Sequence, residues 1–89
     1  MNFRVEWEQD ALYSLRKLDS TIAQRLILKI DWLKSNFNVI KPIPLTGPLK
    51  GNFKLVVGDY RVLYSISHST NVIVIRDIGH RSNIYKKDH

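Results

Sequence analysis

The sequence predicts an α+β fold, in which two helices pack on one face of a mainly antiparallel four-stranded sheet. Three observations predict it: apolar residues recur at helical spacing before residue 40, they alternate after residue 52, and prolines and glycines concentrate in between. The expected order of elements is β-α-α-β-β-β. The chain has 89 residues without an internal repeat or a linker-like segment, so we expect residues 1–89 to form a single domain.

The N-terminal part of the chain predicts a strand and two helices. Residues 3–7 alternate apolar and charged side chains, which is the pattern of a half-buried strand. The first helix is expected to reach about residue 18, on the spacing of Leu12, Leu15 and Leu18. Thr21 and Gln24 have the spacing of a capping box before the second helix, and a tight polar turn makes the two helices an αα-hairpin. The second helix has a longer apolar face, formed by Ile22, Leu26, Ile30, Leu33 and Phe37.

A loop and a β-hairpin follow the helices. Prolines and glycines within residues 42–51 exclude a helix there. Gly58 and Asp59 predict a two-residue turn, which places Lys54 and Arg61 on one face of the sheet as diagonal neighbours. The helices cover the other, apolar face, and a shift by one residue would bury both cations, so the pairing is well determined. Two cations on the open face of a sheet more often have no function, so this pairing alone assigns no site.

The last predicted strand and the segment after it add further candidates. The strand spans residues 72–78, and its alternation places Arg76 on the open face but would bury Asp77, so we expect the register to shift near Ile78. Three side chains beyond Gly79 suit RNA. His80 can exchange protons near neutral pH, Arg81 can bind phosphate, and Tyr85 can stack on a base. A basic C-terminal segment usually does no more than improve solubility. We expect an RNA site here because this segment would converge with Lys54 and Arg61.

Composition and size exclude several function classes. The 14 Lys and Arg against 8 Asp and Glu give a net charge of +6, which fits nucleic acid, an acidic protein partner or a surface without a special role. The absence of cysteine excludes disulfides, thiolate zinc sites and a cysteine nucleophile. The histidines lack metal-site spacing, and the chain is too short for a separate cofactor lobe, so we expect neither metal nor cofactor. We find neither a secretory signal nor a membrane span, and therefore expect a cytoplasmic protein with no membrane contact.

Four blocks of sequence resemble the RelE/ParE toxin superfamily. They are residues 44–55, 58–64, 78–81 and 84–85, and they include G-x-Y-R-x-x-Y and G-H-R-x-x-x-Y. For the RelE branch, the resemblance implies the toxin of a type II toxin–antitoxin system, which enters the ribosomal A site and cuts messenger RNA without a cofactor. The RNA 2′-hydroxyl attacks the adjacent phosphate and leaves a 2′,3′-cyclic phosphate and a 5′-hydroxyl. The implied partners are a cognate antitoxin, the ribosome and its message.

The same resemblance implies a role for each candidate residue. Lys54 matches a lysine proposed as the base or as electrostatic support of the transition state, and Arg61 matches the arginine that holds the scissile phosphate. Arg81 matches one that stabilises the leaving group, and Tyr85 matches an aromatic that stacks on a substrate base. His80 ranks fifth, as a general acid. We expect further RNA contacts from the remaining basic residues near the site, which are Lys50, Arg76, Lys86 and Lys87.

Two departures from the RelE pattern keep an alternative open. Val56 stands where some RelE toxins have a second lysine, and the spacing from Arg81 to Tyr85 is shorter than in some members. In the ParE branch, the same fold binds and poisons DNA gyrase without nuclease chemistry. A third interpretation is a basic module that binds ribosomes and cleaves nothing. In each case we expect an antitoxin segment that folds as it docks.

Overall fold

Two helices and a five-stranded sheet make up the computed structural model, which describes residues 2–86. The helices are α1 (Gln9–Arg16) and α2 (Ser20–Ser35). The strands are β1 (Arg4–Trp7), β2 (Ile43–Pro44), β3 (Phe53–Val57), β4 (Tyr60–Ser67) and β5 (Val72–His80), in the spatial order β1-β5-β4-β3-β2. Short 3₁₀ helices cover Gly47–Leu49 and Ile84–Lys86. The predicted α+β class is confirmed.

The number of strands differs from the prediction, because the predicted loop contributes a fifth strand. Ile43 pairs with Lys54 and Pro44 with Phe53 in antiparallel register. The backbone N–H of Leu45 continues the pairing by donating to the carbonyl of Asn52 at 2.9 Å. Proline has no N–H to donate, and β2 lies at the edge of the sheet, where proline is tolerated.

The N-terminal strand forms the other edge of the sheet, where it pairs with the last strand of the sequence. β1 runs parallel to β5, with Arg4 opposite Val72 and Trp7 opposite Ile75. β5 is therefore paired on both sides, by β1 and by β4. This arrangement buries the β5 side chains more completely than those of β1.

The predicted β-hairpin register is confirmed. β3 pairs with β4 so that Lys54 lies opposite Leu63 and Val56 opposite Arg61. Gly58 has a φ of 58°, a left-handed conformation that glycine adopts without strain, and it begins the turn. Lys54 and Arg61 are therefore diagonal neighbours on one face of the sheet.

A β-bulge at Arg76 gives the register shift that the buried position of Asp77 requires. Leu63 pairs with Asp77 while Tyr64 pairs with Ile75, so Arg76 is the extra residue on β5. The shift lies at Arg76 rather than near Ile78, and it places Asp77 beside Leu63, away from the apolar face. Asp77 is nevertheless buried.

Both helices form as predicted, with different ends. α1 stops at Arg16, two residues before the expected limit. The side chain of Asp19 caps α2 by accepting from the backbone N–H of Thr21 at 3.1 Å, so the predicted capping box of Thr21 and Gln24 is wrong. Both helices contribute to one apolar core against the sheet, which comprises Ala11, Leu26, Ile30, Leu33, Phe37, Val57, Val62, Tyr64, Ile73, Ile75 and Ile78.

Tyr64 makes this core sensitive to alkaline pH. Its side chain is 1% exposed, and burial raises its pKa from 10.0 to about 12. Since the folded pKa lies above the unfolded value, the stabilisation is complete below about pH 10 and is lost as the pH rises towards 12. Between about pH 9 and pH 11, we expect the wild type to lose about 1 kcal/mol more unfolding free energy than Tyr64→Phe in urea titrations.

Tyr13→Phe is the control for this measurement, because Tyr13 is 60% exposed. It should lose as much stability as the wild type over the same interval. An equal alkaline loss in Tyr64→Phe and the wild type would show that Tyr64 is not the group responsible.

None of the helices within residues 2–86 has the length and apolar character that crossing a membrane requires.

Candidate active site

The face of the sheet opposite the apolar core carries the two strand cations. Strand alternation places five residues on this face, here called the open face, namely Lys54, Val56, Arg61, Leu63 and Gly79. Leu63 is buried, so the face is covered at that point. Lys54 and Arg61 are both partly buried, whereas Val56 is 42% exposed. The strands therefore fix the backbone of both cations, and the open face is where a polyanion would meet them.

The Arg61 side chain is held by the hairpin turn. Its Nη1 donates to the carbonyl oxygens of Gly58 and Tyr60, both at 2.9 Å. Within the described residues, Nε and Nη2 of Arg61 make no hydrogen bond. One nitrogen thus anchors the guanidinium, and the other two keep the fork geometry that binds phosphate.

Arg81 meets the same turn from the end of β5. Its backbone N–H donates to the carbonyl of Asp59 at 2.8 Å, and its Nε lies 3.7 Å from the Asp59 carboxylate. Both side chains of this ion pair are about two-thirds exposed, so the pairing is weak and an anion can replace the carboxylate. Arg61 and Arg81 therefore both contact the same turn, while Lys54 lies further along β3 as the diagonal neighbour of Arg61.

Ile84 fixes the C-terminal segment to the open face. It is fully buried, and a Cβ added to Gly79 would lie 3.0 Å from the Ile84 Cδ1. Gly79 pairs with Arg61 in the sheet, so Ile84 packs next to the cations. The following residue, Tyr85, is 45% exposed, and its ring is available for contact with a ligand.

His80 is not brought together with Lys54 and Arg61. It pairs with Tyr60, which faces the apolar core, and the two rings meet edge to face at 5.4 Å. The backbone N–H of Ser82 donates to Nδ1 of His80 at 3.1 Å, and the Ser82 hydroxyl lies 2.8 Å from the same atom. Since Nδ1 accepts, the hydrogen-bond network assigns the proton of the neutral ring to Nε2.

The residues expected to add RNA contacts are dispersed. Lys50 and Lys86 are exposed. Arg76 does not extend the row of open-face cations as predicted, because it is the bulge residue and its Nη1 lies 3.1 Å from the Glu8 carboxylate. Lys87 lies outside the described residues. No group of three or more metal-ligating side chains occurs within residues 2–86.

The structure also shows a cleft that the sequence did not predict. Its volume is about 510 Å³, and its lining comes from α1, from the loop before β3 and from β4 and β5. We call it the α1 cleft, and its lining includes Asp10, Tyr13, Lys17, Asn52 and Leu63. Because these residues are distant in sequence, the sequence holds little sign of the cleft. The one available signal is the two-residue spacing of Asn52 and Lys54, which places both on the same side of the sheet.

The family of the chain follows from comparison with known proteins. Residues 5–85 match the family described as the ParE toxin of the type II toxin–antitoxin system, parDE. This chain belongs to that toxin family. A comparison with curated proteins finds no match for the toxin.

Solved structures with the same fold agree with this assignment. A chain of the toxin–antitoxin complex RelBE2 from Mycobacterium tuberculosis is 26% identical to the toxin, with a TM-score of 0.80 and coverage of 93% of this chain and 95% of that one. A chain of the archaeal RelE–RelB complex from Pyrococcus horikoshii is 25% identical to the toxin, with a TM-score of 0.72 and coverage of 93% of this chain and 99% of that one. The isolated RelE toxin of E. coli is 22% identical over 97% of this chain and 93% of that one, with a TM-score of 0.72, and shows the shared fold.

The arrangement on the open face of the toxin is suited to transition-state stabilisation of phosphoryl transfer. Lys54 and Arg61 provide fixed positive charge, and Arg81 can exchange its carboxylate partner for phosphate. Fixed cations that need no rearrangement stabilise charge as it develops on a pentacoordinate phosphorus. Tyr85 follows the buried Ile84 and offers an exposed ring for stacking.

Proposed function

We propose that this toxin is a ribosome-dependent endoribonuclease that cleaves messenger RNA in the A site without a metal ion. The observation that supports the proposal most directly is one hairpin that carries Lys54 and Arg61 on the same face and whose turn also contacts Arg81. The resemblance to the RelE branch and the likeness to the RelBE2 and archaeal RelE–RelB structures support it.

The proposed reaction is an intramolecular transesterification. The 2′-hydroxyl oxygen of one nucleotide forms a bond to the adjacent phosphorus, and the bond from phosphorus to the 5′-oxygen of the next nucleotide breaks. The 2′-hydroxyl loses its proton to a base and the 5′-oxygen gains one from an acid, which leaves a 2′,3′-cyclic phosphate and a 5′-hydroxyl. Arg61 holds the phosphate, Lys54 and Arg81 stabilise the phosphorane charge, and Tyr85 stacks on a base.

The position of His80 makes Lys54 the stronger candidate for proton transfer near the phosphate, because an arginine such as Arg81 keeps its proton. His80 shares the face of Tyr60 rather than that of Lys54, and its Nδ1 is occupied by Ser82. We therefore assign His80 a structural contact with Tyr60.

Primer extension on a translated message, with purified toxin and ribosomes, tests the proposal. The wild type should cut within A-site codons, and the double variant Lys54→Ala/Arg61→Ala should not. Arg25→Ala on α2 is the charge-matched control and should cut like the wild type. Identical patterns from wild type and double variant would overturn the mechanism. Ribosome binding with a steep salt dependence but no cutting would show a binding module instead.

A gyrase poison is the second candidate function. The family name, ParE toxin, favours it, and so does Val56, an exposed apolar residue opposite Arg61 on the open face. This function predicts inhibited supercoiling and trapped double-strand breaks with intact messages. Induction of the toxin in cells, followed by assays of messenger RNA and chromosomal DNA at the earliest times, separates the two functions.

We also propose a cognate antitoxin as the partner of the toxin. The RelBE2 and archaeal RelE–RelB structures are toxin–antitoxin complexes, which supports the same kind of assembly here. With a net charge of +6, the toxin suits an acidic or amphipathic segment that orders on binding.

A further inference from the structure

The α1 cleft adjoins the candidate active site. Leu63 belongs to its lining and pairs with Lys54 in the sheet. Asn52 also belongs to it, and strand alternation places Asn52 on the same side as Lys54, two residues away. The volume of about 510 Å³ lies in the range of small-ligand sites. The cleft therefore lies next to Lys54 on the same side of the sheet.

Two of the acidic side chains in the cleft are already engaged by neighbours. Glu8 pairs with Arg76 at 3.1 Å. Asp77 accepts from the hydroxyl of Ser14 at 2.9 Å and from the backbone N–H of Ile78 at 2.8 Å. These contacts tie α1 to β5 and form a rigid wall of the cleft. They do not select a ligand.

Two other groups present hydrogen-bond acceptors to the cleft. Asn52 donates through Nδ2 to the carbonyl of Leu49 at 3.2 Å. Because a carbonyl can only accept, this bond fixes the orientation of the amide, and the Asn52 Oδ1 accepts from none of the described residues. The exposed carboxylate of Asp10 likewise has no hydrogen bond or ion pair within residues 2–86.

Tyr13 adds an aromatic surface to the same cleft. Its ring is 60% exposed, and no other aromatic ring among residues 2–86 packs against it. The ammonium of Lys17 lies 4.2 Å from the ring centroid and covers part of the ring. A planar ligand that stacks on Tyr13 would thus meet acceptors from Asp10 and Asn52 in the same cleft.

We propose that the α1 cleft binds one unpaired base of the message and favours bases that carry an exocyclic amino group. This inference rests on the proposed cleavage of messenger RNA. Adenine, cytosine and guanine each donate through an amino group, whereas uracil presents carbonyl oxygens at the corresponding edges. Acceptors at Asp10 and Asn52 match amino donors and repel carbonyl oxygens.

The charge distribution indicates a base in the cleft rather than a phosphate. The lining of the cleft carries three carboxylates against two cations, which are Glu8, Asp10, Asp77, Lys17 and Arg76. This excess of negative charge disfavours phosphate in the cleft, while Lys54 and Arg61 attract it on the adjoining part of the open face. A nucleotide placed with its phosphate at the cations and a base in the α1 cleft satisfies both. The toxin would then hold the message in one orientation and read one codon position.

Cleavage rates on messages that differ by one base at each A-site codon position test the inference. At one position, the wild type should cut uracil about tenfold more slowly than the amino-bearing bases. Asp10→Asn supplies an amide donor to uracil, so this discrimination should fall to about twofold, while Asp31→Asn on α2 should retain it. Full discrimination in Asp10→Asn, or none in the wild type, would overturn the inference.

The aromatic contribution has its own pair of variants. Tyr13→Ala should lower kcat/KM for cleavage about tenfold, since base–aromatic stacking contributes that much per base. Tyr13→Phe keeps the ring and should stay within about twofold of the wild type. Equal rates for Tyr13→Ala and the wild type would show that no base stacks there.

A binding measurement separates failure of the cleft from failure of the proposed function. If the toxin cuts no message, the proposed function is wrong, and NMR titration with nucleosides still tests the cleft. Adenosine, cytidine and guanosine should shift the side-chain amide signals of Asn52 and the ring signals of Tyr13, and uridine should shift them less. Unchanged signals with all four nucleosides would overturn the inference.

Discussion

Arg61→Ala is expected to lower the rate of message cleavage about 100- to 1,000-fold, which is the usual effect of removing one preorganised donor to a developing charge. Arg61 is anchored through Nη1 to the carbonyls of Gly58 and Tyr60, so its Nε and Nη2 are oriented before the phosphate arrives. The free energy of unfolding should change by only about 1 kcal/mol, because the lost hydrogen bonds lie at a solvent-accessible turn. Single-turnover cleavage and urea unfolding measure the two effects separately.

Arg61→Lys tests whether geometry matters beyond charge. A single ammonium cannot hold the turn carbonyls and also bind phosphate through a fork, so we expect its cleavage rate to stay at least tenfold below that of the wild type. Arg25→Ala, which removes an exposed arginine from α2, should cleave normally. If Arg61→Ala cleaves message on ribosomes at the wild-type rate, Arg61 does not take part in the reaction.

Leu26→Ala should lower the free energy of unfolding by about 3 kcal/mol. Leu26 is fully buried in the core between α2 and the sheet, and truncation leaves a cavity that the neighbouring side chains fill only in part. Domains of this size have a total stability of about 5–15 kcal/mol, so a large share would be lost. The open-face cations should keep their arrangement in the folded fraction.

Leu28→Ala is the matched control on the same helix. Its side chain is 70% exposed, and we expect the free energy of unfolding to change by no more than about 0.5 kcal/mol. Urea titration of both variants in one buffer gives the comparison directly. Similar losses in the two variants would mean that the apolar face of α2 has been assigned to the wrong residues.

The hairpin register could be predicted from the sequence because two independent signals agree. The Gly58–Asp59 turn fixes the pairing, and the apolar alternation on either side excludes a shift by one residue. The only sign of the bulge in the sequence was that strict strand alternation would place the charged Asp77 in the apolar core. Its position at Arg76 depends on the contacts of Glu8 and Ser14 with β5, which no local pattern records.

Other features of the structure could not be predicted, because no sequence pattern of sufficient length indicates them. Ile43–Pro44 is a two-residue strand, too short to show an alternation, and Pro42 and Pro44 favoured a loop. The face occupied by His80 depends on the shifted register of β5. The α1 cleft arises from side-chain packing between elements far apart in sequence. The attachment of Arg61 to the carbonyls of Gly58 and Tyr60 is local, but it depends on a side-chain conformation that no sequence pattern records.

The parallel pairing of β1 with β5 has a consequence for synthesis on the ribosome. Residues 4–7 are made first but pair with residues 72–75, so most of the chain must emerge before β1 has a partner. β5 also completes the pairing of β4 and leads to the residues that meet Asp59. A nascent toxin therefore lacks both a finished sheet and Arg81 at its hairpin until residues 72–81 have emerged from the ribosome.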